Sequence, residues 1–184
     1  LREGKLQAVA AGGVERPLRR VVAQPTFVVA MMAGVVGYGV MSFVMTATPV
    51  SMHVIDGHSL GMTAAVIQGH MMGMYLPSLF TGYTVGRWGA TKVMVAGVVA
   101  QVACVLLALT GRQVLFYWAA LVLLGVGWNF LFVAGTVLLT ESYRPAERFK
   151  AQAANEFMIF AIQSVASLSA GSVLYLAGWE MVNL

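Results

Sequence analysis

Residues 114–139 read VLFYWAALVLLGVGWNFLFVAGTVLL, twenty-six consecutive positions without a charged side chain. A helix rises about 1.5 Å per residue, so about 20 such residues cross the roughly 30 Å hydrocarbon core of a bilayer. Four more stretches of this kind lie at 26–48, 64–85, 92–110 and 152–176. The segments between them carry turn or charge chemistry: Pro49 to Gly61, Gly86 to Gly89, Gly111-Arg112-Gln113, and Glu141 to Lys150. In hydrocarbon every backbone N–H and C=O needs an internal partner, so each span must be a helix. The alternating short strands of a membrane barrel are absent from these runs. The sequence therefore predicts an all-α, polytopic membrane helix bundle of five transmembrane helices.

Composition agrees. Of 184 residues, 59% are apolar and 10% charged, against about 25% charged in soluble domains. A water-soluble domain and a disordered chain are both excluded, and the mean hydropathy of +0.81 places most of the surface in lipid. The lone cysteine, Cys104, allows no internal disulfide and no cysteine-based metal site. The net charge of +4 comes from residues scattered around the spans, which argues against a nucleic-acid partner. Residues 1–25 hold no signal-peptide core, and the chain opens at Leu1, as expected of a segment from inside a longer protein.

The basic residues orient the spans. Arg2, Lys5, Arg16, Arg19 and Arg20 precede the first; Arg87 and Lys92 lie between the second and third; Arg144, Arg148 and Lys150 lie between the fourth and fifth. Ten therefore fall on one side, against Arg112 alone on the other. The positive-inside rule puts the N-terminus in the cytoplasm and the end of this segment outside. The expected location is the bacterial inner membrane. Residues 1–20 read as a cytoplasmic linker and 21–184 as the membrane domain. Its tail, Gly178 to Leu184, looks like the approach to a sixth span that would complete the unit.

The connection between the second and third spans reads Gly82-Tyr83-Thr84-Val85-Gly86-Arg87-Trp88-Gly89-Ala90-Thr91-Lys92. It resembles the G-x-x-x-D-R-x-G-R-[RK] signature of the major facilitator superfamily, which lies in the cytoplasm between the second and third helices of a six-helix half. Gly82, Arg87 and Gly89 fit, and Lys92 fits one place off the basic pair; Gly86 replaces the acidic residue and Ala90 the first basic one. After the fourth span, Thr140-Glu141-Ser142-Tyr143-Arg144-Pro145-Ala146-Glu147-Arg148 is similar to an acidic, proline and arginine loop found there in many facilitators. The resemblance covers residues 16–184 and implies helices seven to eleven of twelve, an incomplete six-helix half. It further implies an N-terminal half of the same protein as partner, and a cytoplasmic gate built from Gly82, Arg87, Gly89, Lys92, Glu141 and Arg148.

Polar groups inside spans need a reason, because a charged side chain at the bilayer centre costs about 2.5–3.5 kcal/mol on insertion scales. Tyr38, Ser42 and Thr46 recur every fourth residue and share a face of the first span, a candidate cavity lining. Ser42 and Thr46 equally fit bonding to backbone or to a neighbouring helix. In the second span Gln68 and His70 point about 200° apart. His70 could carry a proton, making it the candidate for proton coupling, or it could be a hydrogen-bonded structural histidine. Gly69-x-x-x-Gly73 on that helix has the small-residue spacing of close helix packing.

The third span is the least polar, interrupted only by Gln101 and Cys104, and the resemblance implies a peripheral, lipid-facing place for it. In the fourth, Gly125, Asn129, Phe132 and Thr136 share a face, with Asn129 the leading substrate-cavity candidate and Phe132 a stacking surface beside it. The competing reading of Asn129 is a helix-to-helix hydrogen bond. In the fifth, Gln163 and Ser167 continue the face of Glu156. Glu156 reads as a solvated helix-start carboxylate, and Glu141 as the gate partner of Arg87 or Arg148.

His53-x-x-Asp56-x-His58 has ligand residue types but no complete set, so no metal is expected. Phosphate loops and nucleophile–base pairs are also absent, and with them any sign of a cofactor or an enzyme. The partners implied are membrane lipid, a small-molecule solute and, as coupling ion, protons. The resemblance implies secondary transport of a small solute by alternating access, with the cavity lined by spans one and four and flanked by two and five. The alternative is a non-transporting membrane scaffold or receptor with the same bundle.

Overall fold

The structure is a computed structural model that describes residues 15–183. Arg2, Lys5 and most of the expected linker lie outside the described residues. The rest is helical: α1 (Leu18–Val22), α2 (Pro25–Pro49), α3 (Leu60–Tyr75), α4 (Ser78–Trp88), α5 (Ala90–Thr110), α6 (Val114–Thr140) and α7 (Arg148–Val182). Four stretches are each long and apolar enough to cross a membrane: Pro25–Ile55, Ala90–Thr110, Val114–Thr140 and Pro145–Val182.

The expected second span is divided. Pro77 has no N–H to continue the helical ladder, and its ring crowds the preceding turn, so α3 stops at Tyr75 and α4 restarts at Ser78. The first span also runs further than its sequence breaker suggests. Pro49 does not end the helix; the chain continues through a π-helical turn, Val50–Ile55, before Gly57 breaks it at φ 71°. The loop expected at 49–63 is thus shorter, and Ser59 caps α3 by accepting the Met62 N–H at 3.2 Å. Pro25 opens α2 in the first turn, where its missing N–H costs nothing. Gly89, at φ 88°, makes the turn from α4 into α5. α1, which begins within the expected linker and ends beyond it, sits against α7, and its Val21 is fully buried.

α6 is the centre of the bundle and packs on α5, α3 and α2, while α7 packs along α2. Close approach is decisive between α3 and α6. A methyl on Gly73 would lie 2.5 Å from the Val122 carbonyl oxygen, and one on Gly125 2.5 Å from the His70 carbonyl oxygen. Gly69 sits against the Trp118 ring. The Gly69-x-x-x-Gly73 spacing therefore has its packing role. α5 is peripheral, with Val95, Val99, Val102 and Leu106 exposed on its outer face.

Candidate functional site

An open cavity of about 780 Å³ lies between α2, α3 and α7. α2 supplies Ser42 and Thr46, α3 supplies His70, and α7 supplies Gln163, Ser164 and Ser167, with Met41, Met45, Met71, Met74, Tyr75, Phe160 and Leu168 filling the walls. No Asp, Glu, Lys or Arg lines it. The helical repeat accounts for the placement: Ser42 and Thr46 are one turn apart on α2, as Gln163 and Ser167 are on α7. The Thr46 and Ser167 hydroxyls meet at 3.0 Å, joining the two helices along the cavity. Ser164 donates to its own helix, at Phe160 O, 2.7 Å away.

His70 is completely buried, its Nδ1 2.9 Å from the Leu121 carbonyl oxygen of α6. The structure therefore gathers Ser42, Thr46, His70 and Gln163 of the expected cavity residues. Gln68, on the opposite face of α3, is exposed.

The fourth span does not form the wall expected of it, because α6 is the buried centre of the bundle. Asn129 is at the break between α3 and α4. Its Nδ2 donates to Met74 O at 2.9 Å and Ser78 Oγ at 2.6 Å, and its Oδ1 accepts from Thr81 Oγ1 at 2.6 Å. The amide is occupied in joining helices, the competing reading of its sequence position. Tyr38 and Phe132 are also displaced from the wall, into an aromatic cluster one layer behind it. The Tyr38 ring meets Trp128 at 5.2 Å, Phe132 at 5.6 Å and Phe160 at 6.2 Å, all edge-on, and Phe132 stacks on Trp128 at 5.1 Å. Only Phe160 of these rings reaches the cavity.

At the end of the bundle that carries the N-terminal segment, the expected gate residues face outward. A side chain added at Gly82 would meet nothing within 4 Å. Arg87 donates to Tyr83 Oη at 3.3 Å, and Lys92, Glu141 and Arg148 are exposed. Among the described residues, none of these joins an ion pair; Glu141 does not meet Arg87 or Arg148. The pairs at this end are Arg16 with Glu147, at 2.6 Å, and Lys150 with Glu15, at 3.0 Å. Glu147 is wholly buried and also accepts the Arg144 N–H at 3.0 Å. It lies within the quoted post-span loop, but nothing in the spacing pointed to Arg16.

The opposite end holds a second network that sequence reading missed. Arg112 binds Asp56 at 3.0 Å and Glu180 at 2.8 Å, and Tyr117 Oη donates to Asp56 at 2.8 Å. The hydrogen bonds it donates, to Glu180 foremost and then to Asp56, raise the Arg112 guanidinium above its ordinary pKa, so the charge is permanent. His53 and His58 bond to backbone carbonyls, His53 to that of His58 and His58 to that of Arg112. No group of potential metal ligands gathers among the described residues.

Long apolar helices, four stretches of them able to cross a membrane, around an open cavity define an all-α polytopic membrane helix bundle. The chain belongs to the Major Facilitator Superfamily, whose family model matches residues 12–184. It is 44% identical over 168 residues to the riboflavin transporter RfnT of Brucella anthropi, covering 91% of this chain and 42% of that protein. Two uncharacterised MFS-type transporters of Bacillus subtilis also match. YdeG is 40% identical over 128 residues, 65% of this chain and 28% of its own length, and YddS 33% over 148, 79% and 34%. The chain thus spans less than half the length of the curated relatives it matches. No solved structure matches.

Proposed function

We propose that the protein containing this chain is a secondary transporter that moves a small neutral solute by alternating access, with this chain supplying most of its C-terminal half. The observation that carries the reading is the cavity: hydroxyl, amide and imidazole side chains and no ionic one within about 780 Å³, inside the roughly 300–1,000 Å³ of small-molecule sites. A strongly charged solute would find no counter-charge here. Riboflavin, named for the 44% identical relative, is neutral, aromatic and rich in hydroxyls, and is the first substrate to test.

The N-terminal half of the protein closes the cavity from the other side. The exposed Gly82, Arg87, Gly89, Lys92, Glu141 and Arg148 then form the cytoplasmic contact surface that makes and breaks with it. The N-terminus is cytoplasmic and the membrane is the bacterial inner membrane, a reading supported by the Lys and Arg distribution. His70 is the group through which a proton could couple.

The test is uptake of labelled riboflavin into vesicles carrying the full-length protein, with and without an imposed pH gradient. Saturable flux, competed by unlabelled riboflavin, is the expected result. Correct insertion without flux of riboflavin or of a panel of neutral solutes overturns the reading in favour of a scaffold.

A further inference from the structure

Among the described residues, five buried polar side-chain atoms have no hydrogen-bond partner, and two of them, His70 Nε2 and Gln163 Oε1, belong to side chains lining the cavity between α2, α3 and α7. Buried polar groups in folded proteins are nearly always partnered, so two such atoms on the walls of one cavity call for an explanation. A buried polar group left unpaired in a native structure marks strain, a functional role or a bound water or ion.

The tautomer of His70 follows from its neighbour. The Leu121 carbonyl can only accept, so Nδ1, 2.9 Å away, carries the proton. In the neutral ring, Nε2 is then a bare lone pair. The ring has little freedom to choose otherwise. Gly73 and Gly125 hold α3 and α6 in backbone contact, which fixes the distance from His70 to Leu121. Gln163, from the α7 wall, can turn its amide either way and so complements a donor or an acceptor. His70 cannot; its buried, unpartnered Nε2 takes only a donor.

We propose that His70 Nε2 is a specificity-determining acceptor for an N–H or O–H group of the transported solute, with Gln163 as the adaptable second contact. The site therefore selects neutral solutes that present a donor, an imide N–H or a polyol hydroxyl, and discriminates against analogues in which that donor is methylated or removed. This rests on the transport reading above and goes further by assigning the polarity of recognition. A site built around a specific polar partner discriminates strongly, because the mismatched ligand leaves the buried atom unpaired.

The experiment uses the purified full-length protein and three probes: riboflavin, 3-methylriboflavin, which lacks the imide N–H, and lumiflavin, which lacks the polyol. Binding is read by flavin fluorescence in wild type, His70→Asn and His70→Gln. In His70→Asn the shorter amide still reaches Leu121, so the helix contact is preserved while the Nε2 position is removed. The longer amide of His70→Gln restores an acceptor near that position. The expected result is a loss of at least tenfold in riboflavin affinity in His70→Asn at unchanged melting temperature, with partial recovery in His70→Gln. One of the two analogues binds wild type at least tenfold more weakly than riboflavin and loses nothing further in His70→Asn, the coupling expected of a shared contact. Equal riboflavin affinity in wild type and His70→Asn overturns the inference while the transport reading stands. Additive losses for both analogues overturn it too, and a folded wild type that binds none of the three probes overturns both it and riboflavin as the substrate.

Discussion

Glu147 is entirely enclosed, yet its charge is matched by Arg16, 131 residues earlier in the chain, through the side chain at 2.6 and 2.9 Å and the backbone N–H at 2.7 Å. The same guanidinium reaches Ser142 O at 3.1 Å, so one arginine pins the N-terminal segment to the α6–α7 connection. An enclosed carboxylate without its partner is strongly unfavourable, and a forked guanidinium cannot be replaced by a point charge without loss. Arg16→Ala is expected to lower the melting temperature in detergent, Arg16→Lys to lower it less, and the paired Arg16→Met/Glu147→Leu change to recover part of the loss. Equal melting of wild type and Arg16→Ala would show that the pair contributes nothing.

Asn129 splints the break at Pro77 through three hydrogen bonds; without it Ser78 and Thr81 keep only their local bonds, to Met74 O and Pro77 O, and the tie from α6 to the break is lost. Asn129→Leu should cost about 1–3 kcal/mol in all for the buried hydrogen bonds lost. It should leave solute affinity within about twofold where the protein stays folded. Thermal unfolding and binding measured on one preparation separate the two effects; a selective loss of binding would return Asn129 to the cavity wall.

Gly73→Ala and Gly82→Ala form a matched pair. The first places a methyl 2.5 Å from a backbone oxygen, whereas the second meets nothing within 4 Å. Folded yield after solubilisation should fall sharply for Gly73→Ala and remain at the wild-type level for Gly82→Ala. Reduced flux in a well-folded Gly82→Ala protein would then report on contact with the other half.

In the Arg112 network, the Asp56 side chain is 12% exposed and that of Glu180 is 61% exposed. Solvent screens the outer pair, and exposed ion pairs contribute little. Asp56 also accepts the Tyr117 hydroxyl. Asp56→Asn should therefore speed amide exchange in residues 50–58 more than Glu180→Gln does in residues 176–182. Hydrogen exchange read by mass spectrometry checks the order.

Cys104 is buried at the α5–α6 contact, 1% exposed within an apolar cluster. Maleimide should leave it unmodified in the folded protein and label it after denaturation. Rapid labelling of the folded protein would place α5 differently.

Much of the architecture is written in the residues. The charge-free run at 114–139 already requires a membrane helix, and the turn at Gly89 follows from local composition; the peripheral place of α5 is what the family resemblance implies. Of the cavity, Ser42 with Thr46 on α2 and Gln163 with Ser167 on α7 could be read from helical spacing alone. Asn129 could not be resolved, because a mid-span amide suits a solute and a neighbouring helix equally well, and only the position of Pro77 opposite it decides between them. Arg112 and Asp56 were visible as isolated charges in two loops, but no local pattern records that helix ends far apart in sequence converge.

The sequence by itself determined that this chain is a membrane helix bundle and which residue types its spans carry, since hydrophobicity is a local property; it did not place the division at Pro77 or the helical turn that runs past Pro49. The tertiary structure alone decided which faces meet. It made α6 the buried core, and so turned its Asn129 and Phe132 inward. It also brought α2, α3 and α7 around an uncharged cavity and left His70 Nε2 buried without a partner at its wall. The physical reason is that partner choice depends on close approach between helices distant in the chain, as at Gly73 and Gly125, where the absence of two side chains sets which backbones can touch.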